Sequence, residues 1–239
     1  MSSARSADPA NPAGAINALV FDAYGTLFNV HSVVARCDEL FPGKGQALSA
    51  LWRSRQLEYS WLRSLMGRYV NFDQVTADAL KYACDALQLS CSEAQRVALA
   101  QGYRTLQPFD DARDALSALA AMSSAPRLAI LSNGAPDMLN ALVAHNRMER
   151  AIPDVMSVDS VGVFKPDPRV YQLAVDRLKL PAAQIGFVSS NGWDAAGARA
   201  FGFKVLWINR GGAPVEELGV RPDRELKSLR ELPGLLAGM

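Results

Sequence analysis

Five short apolar runs, each stopping at polar or glycine residues, constrain this chain more than any other feature. Residues 16–21 run into Asp22, and 127–131 run into Ser132-Asn133-Gly134. The run at 154–158 is the weakest. Residues 185–188 end at Ser189-Ser190-Asn191-Gly192, and 204–208 end at Asn209-Arg210-Gly211-Gly212. Such runs suit strands that are buried on both faces. Between them the apolar spacing predicts helices over 110–122, 136–145, 168–178 and 194–201. This alternation predicts an α/β fold, with a Rossmann-like parallel sheet core covered by helices on both faces.

Residues 29–107 break the rhythm, with helical patterns and no convincing strand. Leu48, Leu51, Trp52, Tyr59, Leu62 and Met66 fall near one helical face. A second helix is expected over 76–87 and a third over 92–103, with Ser92 as its N-cap. The expected organisation is therefore a core of 15–28 plus 108–239, with a helical cap subdomain of 29–107 inserted after the first strand. Pro108-Phe109-Asp110 marks the return to the core. Residues 1–14, rich in Ser, Ala and Pro, read as a mobile tail.

Composition removes several functional classes. A net charge of +1 gives no electrostatic case for nucleic acid or for a membrane surface as partner. No stretch approaches the roughly 20 apolar residues of a membrane span, and the N-terminus lacks the apolar run of a secretory signal. The three cysteines, Cys37, Cys84 and Cys91, have no metal-ligand spacing and read as free thiols, so a cytoplasmic location is the default. With only His31 and His145 present, a His-based triad or a multi-His metal site is poorly supported. The expectation is an enzyme without metal or cofactor.

In open parallel sheets, ligands bind beyond the carboxyl ends of the strands. That rule selects Asp22, Ser132, Asn133, Ser189, Asn191 and Asp194. Asp22 alone reads equally as a turn residue or as a nucleophile. Gly25 permits an unusual backbone turn after it, and the Thr26 hydroxyl is within reach of the same loop. Lys165, in Phe164-Lys165-Pro166-Asp167-Pro168, is either a surface lysine before a helix or a cation that keeps Asp22 ionised. Arg53 lies on an i, i+4, i+8 line with Leu57 and Trp61. Its guanidinium either lays its stem on apolar surface or turns inward to an anion.

Taken together, these residues resemble the haloacid dehalogenase superfamily. The motifs are Asp22-x-x-Gly25-Thr26-Leu27, Leu131-Ser132-Asn133-Gly134, Lys165-Pro166 and the acidic loop at Asn191 to Asp194, in that order. Phe21-Asp22-Ala23-Tyr24-Gly25-Thr26-Leu27, Leu51-Trp52-Arg53 with Gln56-Leu57-Glu58-Tyr59, Phe164-Lys165-Pro166 with Tyr171, and Ser189-Ser190-Asn191-Gly192-Trp193-Asp194 are closer still to its L-2-haloacid dehalogenases. Tyr24 is the deciding position, because the phosphatase branch usually has a second Asp there.

The resemblance implies that Asp22 displaces the halide of a short L-2-haloalkanoate and that water then hydrolyses the aspartyl ester, giving a D-2-hydroxy acid. It implies that Lys165 orients Asp22, that Thr26, Ser189 and Asn191 hold the nucleophile loop, and that Asp194 helps activate water. Ser132, with backbone amides around Ala23, Tyr24 and Asn133, would bind the substrate carboxylate. Arg53 and Asn133 would receive the halide between apolar walls from Trp193 and Phe72, with Tyr171 beside Lys165. A homodimer follows by analogy. The competing readings are a Mg²⁺-dependent phosphatase or phosphonatase of the same superfamily and a catalytically silent binding protein.

Overall fold

A computed structural model describes residues 15–238, so the tail expected at 1–14 lies outside the described residues. Six parallel strands form one sheet: β1 (Ala18–Phe21), β2 (Arg127–Ser132), β3 (Asp154–Ser157), β4 (Ile185–Ser189), β5 (Lys204–Ile208) and β6 (Arg224–Leu226). Their order is β3-β2-β1-β4-β5-β6. The five apolar runs are the first five strands. The sixth was not anticipated, because Arg224-Glu225-Leu226 is a three-residue edge strand with two exposed charged residues and no apolar run. At the centre of the sheet, β1 is buried along its whole length.

Four helices occupy the segment after β1: α1 (Val33–Leu40), α2 (Gly45–Leu65), α3 (Phe72–Ala86) and α4 (Glu93–Gln101). Asn71 caps α3 by accepting the Gln74 N–H at 3.0 Å, so this helix begins four residues before the predicted start. Ser92 caps α4 in a reciprocal capping box with Gln95, as expected. The predicted apolar face of α2 is corrected in part. Leu48 and Trp52 are buried, but Leu62 and Met66 are 43% and 61% exposed. The buried line instead runs Leu48, Trp52, Gln56, Ser60, in steps of four. Its lower half is polar and satisfied internally: Gln56 Nε2 donates to Thr76 Oγ1 at 2.9 Å and Gln56 Oε1 accepts from Tyr103 at 3.0 Å. A hydrophobicity pattern cannot report a buried face made of bonded polar groups.

The chain enters and leaves this helical segment side by side. The N–H of Asn29 donates to the Gln107 carbonyl at 2.8 Å, and that of Phe109 to the Leu27 carbonyl at 2.9 Å. Across the seam to the sheet, the Phe164 N–H donates to Ser64 Oγ at 3.0 Å, and the Tyr69 hydroxyl donates to Asp159. The remaining helices, α5 (Asp110–Ala120), α6 (Pro136–His145), α7 (Pro168–Leu178), α8 (Gly192–Phe201) and α9 (Leu232–Ala237), accompany the sheet. Among the described residues no helix is long and apolar enough to cross a membrane.

Candidate active site

Strand order reverses between β1 and β4, and the site lies beyond their carboxyl ends, as expected for an open parallel sheet. Asp22 is the first residue after β1 and is anchored by its own N–H on the Val188 carbonyl at 2.9 Å. The chain then turns sharply through Gly25, whose φ of +90° is a conformation that side chains with a Cβ rarely adopt. This turn brings Thr26 back beneath Asp22. Thr26 Oγ1 donates to Asp22 Oδ2 at 3.0 Å and accepts the Ser190 N–H at 2.8 Å, tying the first strand's loop to the fourth's. Asn191 Nδ2 donates to the same Oδ2 at 2.8 Å and to the Tyr24 carbonyl at 3.1 Å.

The other carboxylate oxygen faces Lys165. Lys165 is 1% exposed, and its Nζ lies 3.2 Å from Asp22 Oδ1 and 2.9 Å from Asp194 Oδ2. Asp194, wholly buried on α8, also accepts from Ser189 Oγ at 3.1 Å and from the Tyr171 hydroxyl at 2.8 Å. Burial pushes the Asp194 carboxyl up to about 6; Lys165 opposes this shift and the Asp22 charge adds to it. Burial works against the charge on Lys165, but Asp194 and Asp22 outweigh it and hold the ammonium above its ordinary value. Tyr171 is pushed well up, first by burial and then by Asp194, so it serves as a neutral hydrogen-bond donor. The lysine is thus the inward cation of the two readings, and Ser189 Oγ, besides donating to Asp194, accepts the N–H of Asn191 at 3.2 Å.

Phosphatases of this fold hold Mg²⁺ between the nucleophile and paired acids. The residues here do not fit that ion: Asp22 and Asp194 are only two carboxylates, and the Lys165 ammonium occupies the gap between them. Among the described residues no group of three or more His, Cys, Asp or Glu side chains could hold a metal.

The remaining expected residues surround this centre. Ser132 ends β2 and is fully buried, with its Oγ accepting the Gly134 N–H at 3.1 Å. Asn133 Oδ1 accepts the Lys165 N–H at 2.9 Å, which fixes the lysine loop and leaves the Asn133 NH₂ group without a partner among the described residues. The side chain of Ala23 is buried and its carbonyl accepts the N–H groups of Leu27 and Phe28, so only its backbone N–H is left to meet a ligand. Tyr24 lies against Gly134, where an added Cβ would come within 2.8 Å of its ring. Its buried hydroxyl has no partner among the described residues, and burial raises its pKa well above the usual range.

Arg53 is half-buried on α2, near enough to the buried Tyr24 and Tyr103 for its charge to oppose the upward shift of both hydroxyls, and it forms no ion pair or hydrogen bond with the described residues. Phe72 is buried 6.0 Å from both the Tyr24 and Phe164 rings. Trp193 packs edge-on against Trp61 at 5.4 Å.

Sequence reasoning missed two contributors. Arg210 donates to the Thr26 carbonyl at 3.0 Å and to Ser190 Oγ at 2.9 Å, pairs with Asp111 at 2.8 Å, and lies over the Phe109 ring. It clamps the two loops that carry Thr26 and Ser190. Its position at the end of the fifth apolar run was the available signal. Gln56, held by Thr76 and Tyr103, stands in the Gln56-Leu57-Glu58-Tyr59 stretch that carries the resemblance, but the sequence assigned it no role.

This arrangement has clear relatives. Residues 16–202 match the family model of the haloacid dehalogenase-like hydrolases. An (S)-2-haloacid dehalogenase of Pseudomonas sp. (strain YL) is 53% identical over 90% of this chain and 92% of its own length. (S)-2-haloacid dehalogenase 2 of Pseudomonas sp. (strain CBS-3) is 48% identical over 92% and 96%. The solved structure of the Xanthobacter autotrophicus L-2-haloacid dehalogenase with chloropropionic acid covalently bound superposes with a TM-score of 0.88 at 42% identity, covering 94% of this chain and 99% of that one. The chain therefore belongs to the haloacid dehalogenase-like hydrolases and, within them, to the L-2-haloacid dehalogenases.

Proposed function

We propose that this protein hydrolyses L-2-haloalkanoates to D-2-hydroxy acids and halide through an ester on Asp22. The observation that carries the reading is the setting of the Asp22 carboxylate. Oδ2 accepts from Thr26 and Asn191, while Oδ1 has only the 3.2 Å contact to Lys165 and is the freer oxygen. Oδ1 attacks C2 opposite the halogen, the C2–halogen bond breaks, and the halide leaves with the electron pair. Water then adds to the carboxyl carbon of Asp22. The charge that develops on Oδ2 meets two donors already in place, Thr26 Oγ1 and Asn191 Nδ2, which is an oxyanion hole. Asp194, beside Lys165, takes a proton from water and returns it to the C2 oxygen as the acyl–oxygen bond breaks, which releases the hydroxy acid with one inversion at C2, and the Asp22 carboxyl loses its remaining proton to solvent.

Ser132 and the amides of Ala23, Tyr24 and Asn133 take the substrate carboxylate in this reading. The unpartnered guanidinium of Arg53 and the Asn133 NH₂ take the halide, with Trp193 and Phe72 as apolar neighbours. Residues 29–107 act as a cap over a core of 15–28 and 108–239, closing the site to bulk water. The exposed apolar side chains of Leu62, near the end of α2, and Met66, just after it, support a homodimer. The free thiols of Cys37, Cys84 and Cys91 suit a cytoplasmic location.

The test is halide release from L- and D-2-chloropropionate in the presence of chelator. Chloride from the L form, with D-lactate as product, is expected. Release that strictly requires Mg²⁺, or turnover of a phosphomonoester alone, would instead favour the phosphatase reading, which Tyr24 argues against.

A further inference from the structure

A cavity of about 490 Å³ opens along the seam between α2 and the sheet, within the size range of small-molecule sites, roughly 300–1,000 Å³. Trp61 and Leu65 come from α2, Phe164 and Pro166 from the loop around Lys165, Trp193 from α8, and Leu218 from the loop after β5. Lys165 also lines it, with its ammonium turned onto the two carboxylates. Ser64 Oγ accepts from the Phe164 N–H and donates to the Ser60 carbonyl, and Asp167 is bonded by Arg169, while the buried Nε1 of Trp61 has no partner among the described residues. At its mouth, Leu65 and Leu218 are 84% and 59% exposed, two large apolar side chains left in water beside a largely apolar hollow. Such a surface calls for an apolar occupant.

Sheet order says which occupant. Four groups radiate from C2 of a haloacid: carboxylate, halogen, hydrogen and alkyl tail. In the proposed reaction the carboxylate lies on the β2 side of Asp22, at Ser132, and the halogen points to Arg53. The β4 side, where Trp193 begins α8 and the cavity starts, is left for the tail. We infer that this seam cavity is an acyl-chain channel, and that Trp61 and Leu218 make the enzyme competent for L-2-haloalkanoates several methylenes longer than propionate. The inference rests on the dehalogenase reading above.

The test compares kcat/KM for L-2-bromohexanoate with that for L-2-bromopropionate in the same preparation, so the folded fraction cancels. Burying three further methylenes is worth roughly fourfold each when complete, so a hexanoate-to-propionate ratio above about ten is expected. Trp61→Ala and, separately, Leu218→Glu should each lower that ratio about tenfold; a lowered ratio in either supports the channel. A ratio below one in the unmodified protein, or one that stays put in both variants, overturns it. If Leu218→Glu shifts the oligomeric state while the ratio stays put in both variants, the seam receives a second copy of the chain and the channel is likewise overturned. Bromide release from propionate without release from hexanoate rejects the channel alone. Release from neither substrate rejects the dehalogenase reading, and the channel with it.

Discussion

The Lys165 ammonium sits 2.9 Å from Asp194 and slightly farther, 3.2 Å, from the nucleophile Asp22. One buried cation therefore serves two carboxylates. It can hold Asp194 ionised through both chemical stages, and it stays in place when esterification removes the Asp22 charge.

That sharing makes Lys165→Ala costly in two ways. Halide release should fall about 10²–10³-fold with the loss of its electrostatic support. Two buried carboxylates would also be left facing each other, so the fold should lose roughly 3–5 kcal/mol, the usual cost of breaking a buried ion pair. Urea denaturation beside steady-state halide release measures both. A variant with normal stability would mean that the pair is not buried as described.

Arg53→Ala should behave in the opposite way. Arg53 forms no ion pair or hydrogen bond with the described residues, so its removal orphans no internal partner, and the denaturation midpoint should hardly move. Turnover should drop about 10²–10³-fold if the guanidinium receives the departing halide. Arg53→Lys should restore little of it, because an ammonium does not reproduce the planar fork. Retained turnover in Arg53→Ala would remove the residue from the site.

Asp194 sets the acid limb. With its carboxyl pushed up to about 6, the ionised form that accepts a proton from water disappears as pH falls through 6. Esterification removes the Asp22 charge that adds to this shift, so hydrolysis of the ester should be half-maximal somewhat below pH 6 and the intermediate should accumulate under that point, as rapid-quench mass spectrometry would detect. Stability moves the other way. Asp194 holds its proton more tightly folded than unfolded, so its contribution is fully present below the unfolded value, near 3.9, and is lost as pH rises through about 6. Ester hydrolysis that is flat from pH 5 to 8 would exclude Asp194 as the base.

Single turnover in H₂¹⁸O should place the label in the Asp22 carboxylate first and leave the first-formed hydroxy acid unlabelled. Mass analysis of the peptide carrying Phe21-Asp22-Ala23-Tyr24 reads this directly. Label found only in the product would mean that water attacks C2.

The five principal strands were readable because each is a largely apolar run that stops at a polar or glycine residue, and the nucleophile and the acid stood at or just after those stops, while Lys165 lay in a separate loop bracketed by Phe164 and Pro166. Other features depended on groups that satisfy one another across the fold. β6 is held by its neighbour rather than by its own composition. The buried face of α2 passes through Gln56 and Ser60, which look like surface residues until Thr76 and Tyr103 are placed beside them. The direction of Arg53 was undecidable from helical spacing, since a stem laid on apolar surface and a head turned inward share the same periodicity.

The paired backbone bonds at Asn29 with Gln107 and Leu27 with Phe109 bear on how such a chain changes over generations. Two segments that far apart in sequence meet side by side, so the sheet experiences everything between them as one loop closure. Helices there can be lengthened, exchanged or re-faced without shifting the register of β1, the strand that presents Asp22. Substrate preference can then drift in the graft while the attacking carboxylate stays with the stock.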